Sequence, residues 1–86
     1  MTNADLEKLV ATSDEWIRER TGIRERRIAA EGQACSDLGL IAAERALKAA
    51  GISADELDMI LLATCTGDMP LPSTACLLQH RLGATR

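Results

Sequence analysis

The chain has 86 residues, a formal net charge of −3 and a hydrophobic fraction of 47 %, with one Trp and neither Phe nor Tyr. A chain of this size is one small domain at most and buries only roughly 60–65 % of its unfolded surface, so its margin of stability is thin. The negative charge weighs against a nucleic-acid or anionic-membrane partner; no apolar run approaches the ~20 residues that span a bilayer, and the start Met1-Thr2-Asn3-Ala4-Asp5 is no signal peptide, which points to the cytoplasm.

Thr2-Asn3-Ala4-Asp5 has the form of a capping box, and Leu6, Leu9 and Val10 follow at helical spacing. Thr12-Ser13-Asp14-Glu15 opens a second helix, with acids in the first turn where the helix dipole favours them. That helix runs through Trp16, Ile17 and Arg20 and stops at Gly22. Ile23 to Gln33 reads as an irregular or extended, arginine-rich connection, with a weak strand candidate around residues 23–29. Ser36 opens the clearest helix: Leu38, Ile41, Ala42, Arg45, Ala46, Ala49 and Ala50 recur at three- and four-residue steps before Gly51. The alanines along that stripe suit close packing on a flat neighbour such as a sheet. Ser53 caps a single turn. Leu57 to Thr64 is a continuous apolar run, the pattern of a strand covered on both faces. Pro70 and Pro72 mark a loop, and Ser73 caps a last helix from Thr74 to Leu82, with Gly83 beyond.

The pattern is α/β, with helices packed on one central strand of an incomplete sheet. A lone strand cannot satisfy its own N–H and C=O groups, so the remaining strands are expected from outside these residues.

Cys35, Cys65 and Cys76 are an odd number without C-x-x-C spacing and read as reduced apolar residues; with the single His80 they make no metal site. There is no G-x-S-x-G elbow and no glycine-rich phosphate loop. His80 stands four residues after Cys76, yet Cys76 lies in an apolar stripe with Leu77 and Leu78, which reads as packing rather than nucleophile. The informative stretch is Thr12 to Arg27. Trp16 sits on a strongly polar helix with Arg20 four residues on, so the two emerge on one face. An exposed indole beside a guanidinium can stack a flat heterocycle while the cation meets its phosphates; the alternative is an indole anchoring the helix to the core under a packed arginine. Arg18, Arg24, Arg26 and Arg27 alternate with glutamates, the pattern of a solvated, salt-bridged face.

Residues 2–10, Thr-Asn-Ala-Asp-Leu-Glu-Lys-Leu-Val, and then Thr12-Ser13-Asp14-Glu15-Trp16-Ile17-x-x-Arg20-Thr21-Gly22-Ile23-Arg24-Glu25-Arg26 closely resemble the start of the β-ketoacyl-acyl-carrier-protein synthase III enzymes, of the thiolase-like superfamily. The likeness continues through Ala42-Ala43-x-x-Ala46-Leu47-x-Ala49-Ala50-Gly51-Ile52, through Ala63-Thr64-Cys65-Thr66, and through Pro72-Ser73-Thr74-Ala75-Cys76-Leu77. It implies a partial, N-terminal thiolase-like domain over residues 1–86. Its parts are a coenzyme-binding helix at about 12–21, a core strand at about 57–64 and a dimer-loop region at about 66–72.

The resemblance further implies a decarboxylative Claisen condensation that joins a short acyl-CoA to malonyl-acyl carrier protein and initiates fatty-acid synthesis. The substrate is a coenzyme A thioester, with no prosthetic group. Trp16 matches the residue that stacks on the CoA adenine, with Thr12 beside it; Arg20 matches the contact to the phosphate end, with Thr21 nearby. Leu71 matches the position that crosses the homodimer interface to line the partner's acyl pocket, and a leucine there suits a short primer. The family's Cys-His-Asn catalytic residues match nothing here: the nucleophile is expected beyond Arg86 and the first strand before Met1. Acyl carrier protein is therefore expected to dock through the part outside these residues. The competing expectation is a non-catalytic binding or dimerisation fragment that needs a partner chain.

Overall fold

A computed structural model describes residues 1–85, as two compact units: Met1–Ala30 and the segment from Glu31 onward.

The first unit is built on two short helices, α1 (Asn3–Glu7) and α2 (Asp14–Thr21). Thr2 and Asp5 form the expected capping box: the Thr2 hydroxyl accepts from the Asp5 N–H, and the Asp5 carboxylate accepts from the Thr2 N–H at 2.8 Å. Ser13 caps α2 by accepting from the Trp16 N–H at 3.1 Å. Gly22 ends the helix at φ 73°, a left-handed conformation that glycine adopts without steric cost. The returning chain passes beside the N-terminus in one isolated antiparallel bridge, Thr2 to Glu25, where Asn3 N–H donates to the Arg24 carbonyl and Arg26 N–H to that of Met1. The strand candidate at 23–29 amounts to this one bridge. Ile17 is the buried apolar residue of the unit, and Asn3, only 1 % exposed, lies deeper than it.

The second unit contains α3 (Cys35–Ala50), a 3₁₀ turn (Ala54–Glu56) and α4 (Thr74–Leu82), with α3 packed on α4. Ser73 caps α4 by accepting from the Cys76 N–H, and Gly83 closes it in the left-handed region. Two features of α3 differ from the sequence pattern. The helix starts one residue early, at Cys35, with Ala34 as an N-cap that has no capping side chain. The Asp37 carboxylate instead accepts from the Ala34 N–H at 2.7 Å, which leaves the hydroxyl of the buried Ser36 free to serve another partner. The inward face is also not the stripe of Leu38, Ile41, Ala42 and Ala46, which is exposed. Ser36, Gly39, Leu40, Ala43 and Leu47 are the sheltered positions. Gly39 lies on this face, where a Cβ would stand at ordinary contact distance from Leu78 (3.7 Å) and Leu62 (3.8 Å).

Leu57 to Thr64 forms no strand, and among the described residues there is no sheet. Burial nonetheless alternates along it: Ile60 and Leu62 are half-buried, while Met59 and Leu61 are 73 % and 88 % exposed. One face is thus covered and the other open; no strand forms, because no neighbouring strand is at hand to take its N–H and C=O groups. Among the described residues few apolar side chains are fully buried: Leu78 and Ala84 in this unit, as Ile17 is in the first.

Polar contacts take over much of the work of packing in this unit. The Asp68 carboxylate accepts from the Ser36 N–H at 2.8 Å and the Ser36 hydroxyl at 2.5 Å, while the Asp68 N–H donates to the Thr74 hydroxyl at 3.0 Å. Arg81 of α4 donates to Asp37 at 2.7 Å and to the Ser36 hydroxyl at 3.3 Å. The start of α3, the loop before α4 and the end of α4 are thereby tied at one point.

Candidate functional site

Five residues follow from the resemblance as binding positions: Thr12, Trp16, Arg20 and Thr21 in the first unit and Leu71 in the second. Trp16 and Arg20 share one face of α2, with the Arg20 guanidinium 5.4 Å from the centre of the indole ring. The ring is 54 % exposed, so it does not anchor α2 in a core; that role falls to Ile17 on the opposite register of the same helix. Among the described residues Arg20 forms no ion pair. Its charge lies against the ring, where cation–π attraction holds it without neutralising it. Beside the indole is an open recess lined by Ala11, Thr12, Ser13 and Trp16, in which Thr12 is half-buried. An exposed π-face, a hydroxyl and an unneutralised cation within one helix and its lead-in are chemically suited to a flat heterocycle carrying phosphate.

Thr21 is placed differently. Its hydroxyl donates to the Ile17 carbonyl at 2.7 Å and accepts from the Ile23 N–H at 3.1 Å, closing the last turn of α2. The arginine-rich stretch also divides. Arg18 pairs with Asp14 at 2.8 Å and Arg27 with Glu25 at 2.9 Å, both exposed as the alternation suggested. Arg26 turns inward instead, donating to Asn3 at 2.7 Å, and its other terminal nitrogen is buried without a partner. The solvated-face reading fails for Arg26 because the bridge to the N-terminus draws residue 26 against Asn3.

Asn3 was not legible as a site residue. Its amide nitrogen donates both to Asp14 Oδ1 and to the Ile23 carbonyl at 2.8 Å, its amide oxygen accepts from Arg26, and its N–H binds the Arg24 carbonyl. The Asn3 amide, with the charges of Arg18 and Arg24, holds the Asp14 carboxyl below the usual carboxylate range. Asp14 N–H in turn donates to Glu7 at 2.6 Å, so α1 grips the first turn of α2 from both ends. An Asn inside a capping box resembles any N-terminal helix residue; nothing in its spacing marks it as a hub.

In the second unit Leu71 lies between Pro70 and Pro72, preceding a cis peptide bond, and is 84 % exposed. Cys65, Cys76 and His80 are exposed as well, and the Ser73 hydroxyl donates to the Cys76 sulfur at 3.2 Å. Among the described residues no cluster of His, Cys, Asp and Glu could hold a metal ion, and no helix is long and apolar enough to cross a membrane.

No protein-family model matches the chain. Its relatives agree among themselves. It is 59 % identical over 85 residues to the β-ketoacyl-[acyl-carrier-protein] synthase III of Thiobacillus denitrificans, covering 99 % of this chain and 27 % of that protein. To the protein of the same name from Geobacillus kaustophilus it is 61 % identical over 84 residues, again 27 % of that length. The crystal structure of 3-oxoacyl-[acyl-carrier-protein] synthase III from Aquifex aeolicus superposes with a TM-score of 0.69 at 54 % identity, over 99 % of this chain and 27 % of that one. The priming β-ketosynthase of the R1128 polyketide biosynthetic pathway gives the same TM-score at 34 % identity, over 98 % and 25 %. The chain thus spans about a quarter of the length of the proteins it matches, and the resemblance read from its sequence holds over nearly all of it.

Proposed function

We propose that this chain, a close relative of one quarter of β-ketoacyl-[acyl-carrier-protein] synthase III, supplies one wall of the coenzyme A site of a condensing acyltransferase. The observation that carries the reading is the exposed Trp16 ring with the Arg20 guanidinium over it, on a chain of this kinship. The indole stacks on the adenine of an acyl-CoA and Thr12 closes the recess beside it. Arg20 swings its charge to the phosphates, and Thr21 fixes the end of the helix that carries them. The whole enzyme joins a short acyl-CoA to malonyl-acyl carrier protein with loss of carbon dioxide, in the cytoplasm. These residues alone form no acyl-enzyme and turn over no substrate.

In that enzyme Leu57 to Thr64 becomes a core strand of a thiolase-like sheet, whose neighbours come from the other three quarters and cover Met59 and Leu61. Leu71 on the 66–72 loop reaches across a homodimer to the partner's acyl pocket, and acyl carrier protein docks elsewhere. The open face at Met59 and Leu61 also favours a second reading, in which the chain is a non-catalytic binding or dimerisation fragment that needs a partner chain.

Trp16→Ala tests the first reading. It weakens CoA binding by about 1–3 kcal/mol, the scale of base–aromatic stacking, measured by following the methyl resonances of the chain during CoA titration. Unchanged affinity removes Trp16 from the site.

A further inference from the structure

Trp16 and Arg20 project usefully only if α2 is held still, and α2 is eight residues long, too short to persist by itself. What holds it is polar. Asn3 is the most buried of the described residues, and its amide nitrogen is shared between Asp14, the first residue of α2, and the carbonyl of Ile23, just beyond the Gly22 cap. One side chain therefore grips α2 at its beginning and just past its end. The orientation of the amide is fixed by its surroundings: the Arg26 guanidinium can only donate, so the amide oxygen must face it, and the nitrogen must face the two acceptors.

We propose that Asn3 is the positioning residue of the Trp16–Arg20 face, setting the affinity for CoA through Asp14 without touching the ligand. This rests on reading that face as a CoA site. Asparagine alone fits, because the position needs two donors toward Asp14 and Ile23 and one acceptor toward Arg26. Aspartate has the same shape yet would set a carboxylate oxygen where the amide nitrogen now stands 2.8 Å from the Asp14 carboxylate.

The experiment is a CoA titration of the full chain, comparing the unaltered protein with Asn3→Asp, Asp14→Asn, the two combined, Trp16→Ala, and Ser36→Ala as a control in the second unit. Binding is read from methyl resonances, and the single indole N–H resonance of Trp16 reports the setting of α2 where it is present. Asn3→Asp is expected to weaken CoA binding about five- to tenfold, the scale of one or two net hydrogen bonds. Adding Asp14→Asn restores a donor–acceptor pair and recovers at least half of that loss, while Ser36→Ala leaves affinity unchanged. If Asn3→Asp unfolds the first unit, the combined variant decides: it supports the proposal by folding and binding within about threefold of the unaltered chain, and overturns it by folding and binding no better than Trp16→Ala. Unchanged affinity in a folded Asn3→Asp also overturns it. Where Trp16→Ala weakens binding and Asn3→Asp does not, only the positioning role falls; where Trp16→Ala has no effect, the CoA-site reading falls and the positioning role with it.

Discussion

Asp68→Ala is expected to be as damaging to the second unit as truncation of a core side chain, although Asp68 is a loop residue and belongs to no apolar cluster. Its carboxylate accepts two hydrogen bonds from Ser36, one at 2.8 Å from the N–H and one at 2.5 Å from the hydroxyl. Bonds to a charged group contribute about 1.5–3 kcal/mol each when buried. Asp68 is only half-buried, which pulls the pair toward the low end. Ser36, by contrast, is 5 % exposed, so its orphaned N–H adds a desolvation cost on removal of the acceptor. The sum is about 2–4 kcal/mol, a large share of what a small domain possesses. The Thr74 bond to the Asp68 N–H survives the substitution and limits the loss. Urea unfolding followed by far-ultraviolet circular dichroism measures it, since most of the helical residues lie in α3 and α4. Ser36→Ala should cost about 1 kcal/mol, and the double variant should cost less than the sum of the two. An Asp68→Ala cost below about 0.5 kcal/mol, or strict additivity with Ser36→Ala, would refute the clamp.

Acid should unfold the chain through particular carboxylates. Asp5 is held below the usual range by the Thr2 N–H and hydroxyl, Asp14 by the Asn3 amide, and Asp37 by the Ala34 N–H and then Arg81. A lowered folded pKa means that the contribution is fully present above the ordinary value of 3.8 and disappears as pH falls through the lowered one. The urea midpoint should therefore be level from neutrality to about pH 5 and fall below about pH 4; a midpoint that holds or rises there contradicts these contacts. Leu61→Lys, placed on the open face of the 57–64 run, should reduce self-association measured by sedimentation, because a charge breaks up an exposed apolar patch. An unchanged sedimentation profile would show that this face plays no part in association.

What the sequence made legible was mostly local. Caps and stops at Thr2, Ser13, Gly22, Gly51, Ser73 and Gly83 depend on neighbours within a few residues, and the structure has them all. Trp16 and Arg20 were legible for the same reason, since four-residue spacing on a helix places two side chains on one face. The inward side of α3 was not. Hydrophobic spacing selected the alanine stripe, whereas the sheltered face runs through Ser36 and Gly39, which carry no hydrophobic signal and lie beside Asp68, Leu62 and Leu78. The 57–64 run was recognised as apolar, but its pairing depends on strands these residues do not supply. Asn3 and Asp68 escaped notice because each works through contacts 11 to 32 residues away, and one polar residue in a cap or turn carries no trace of such partners.

The central claim is that the Trp16 ring stacks on the adenine of coenzyme A, and the most direct measurement is the nuclear Overhauser effect between the two. With CoA added to the chain, cross-peaks are predicted between the adenine H2 and H8 protons and the ring protons of Trp16, lost in a sample with 4′-phosphopantetheine in place of CoA. Binding of CoA that perturbs residues elsewhere while giving no adenine contact to Trp16 would contradict the account.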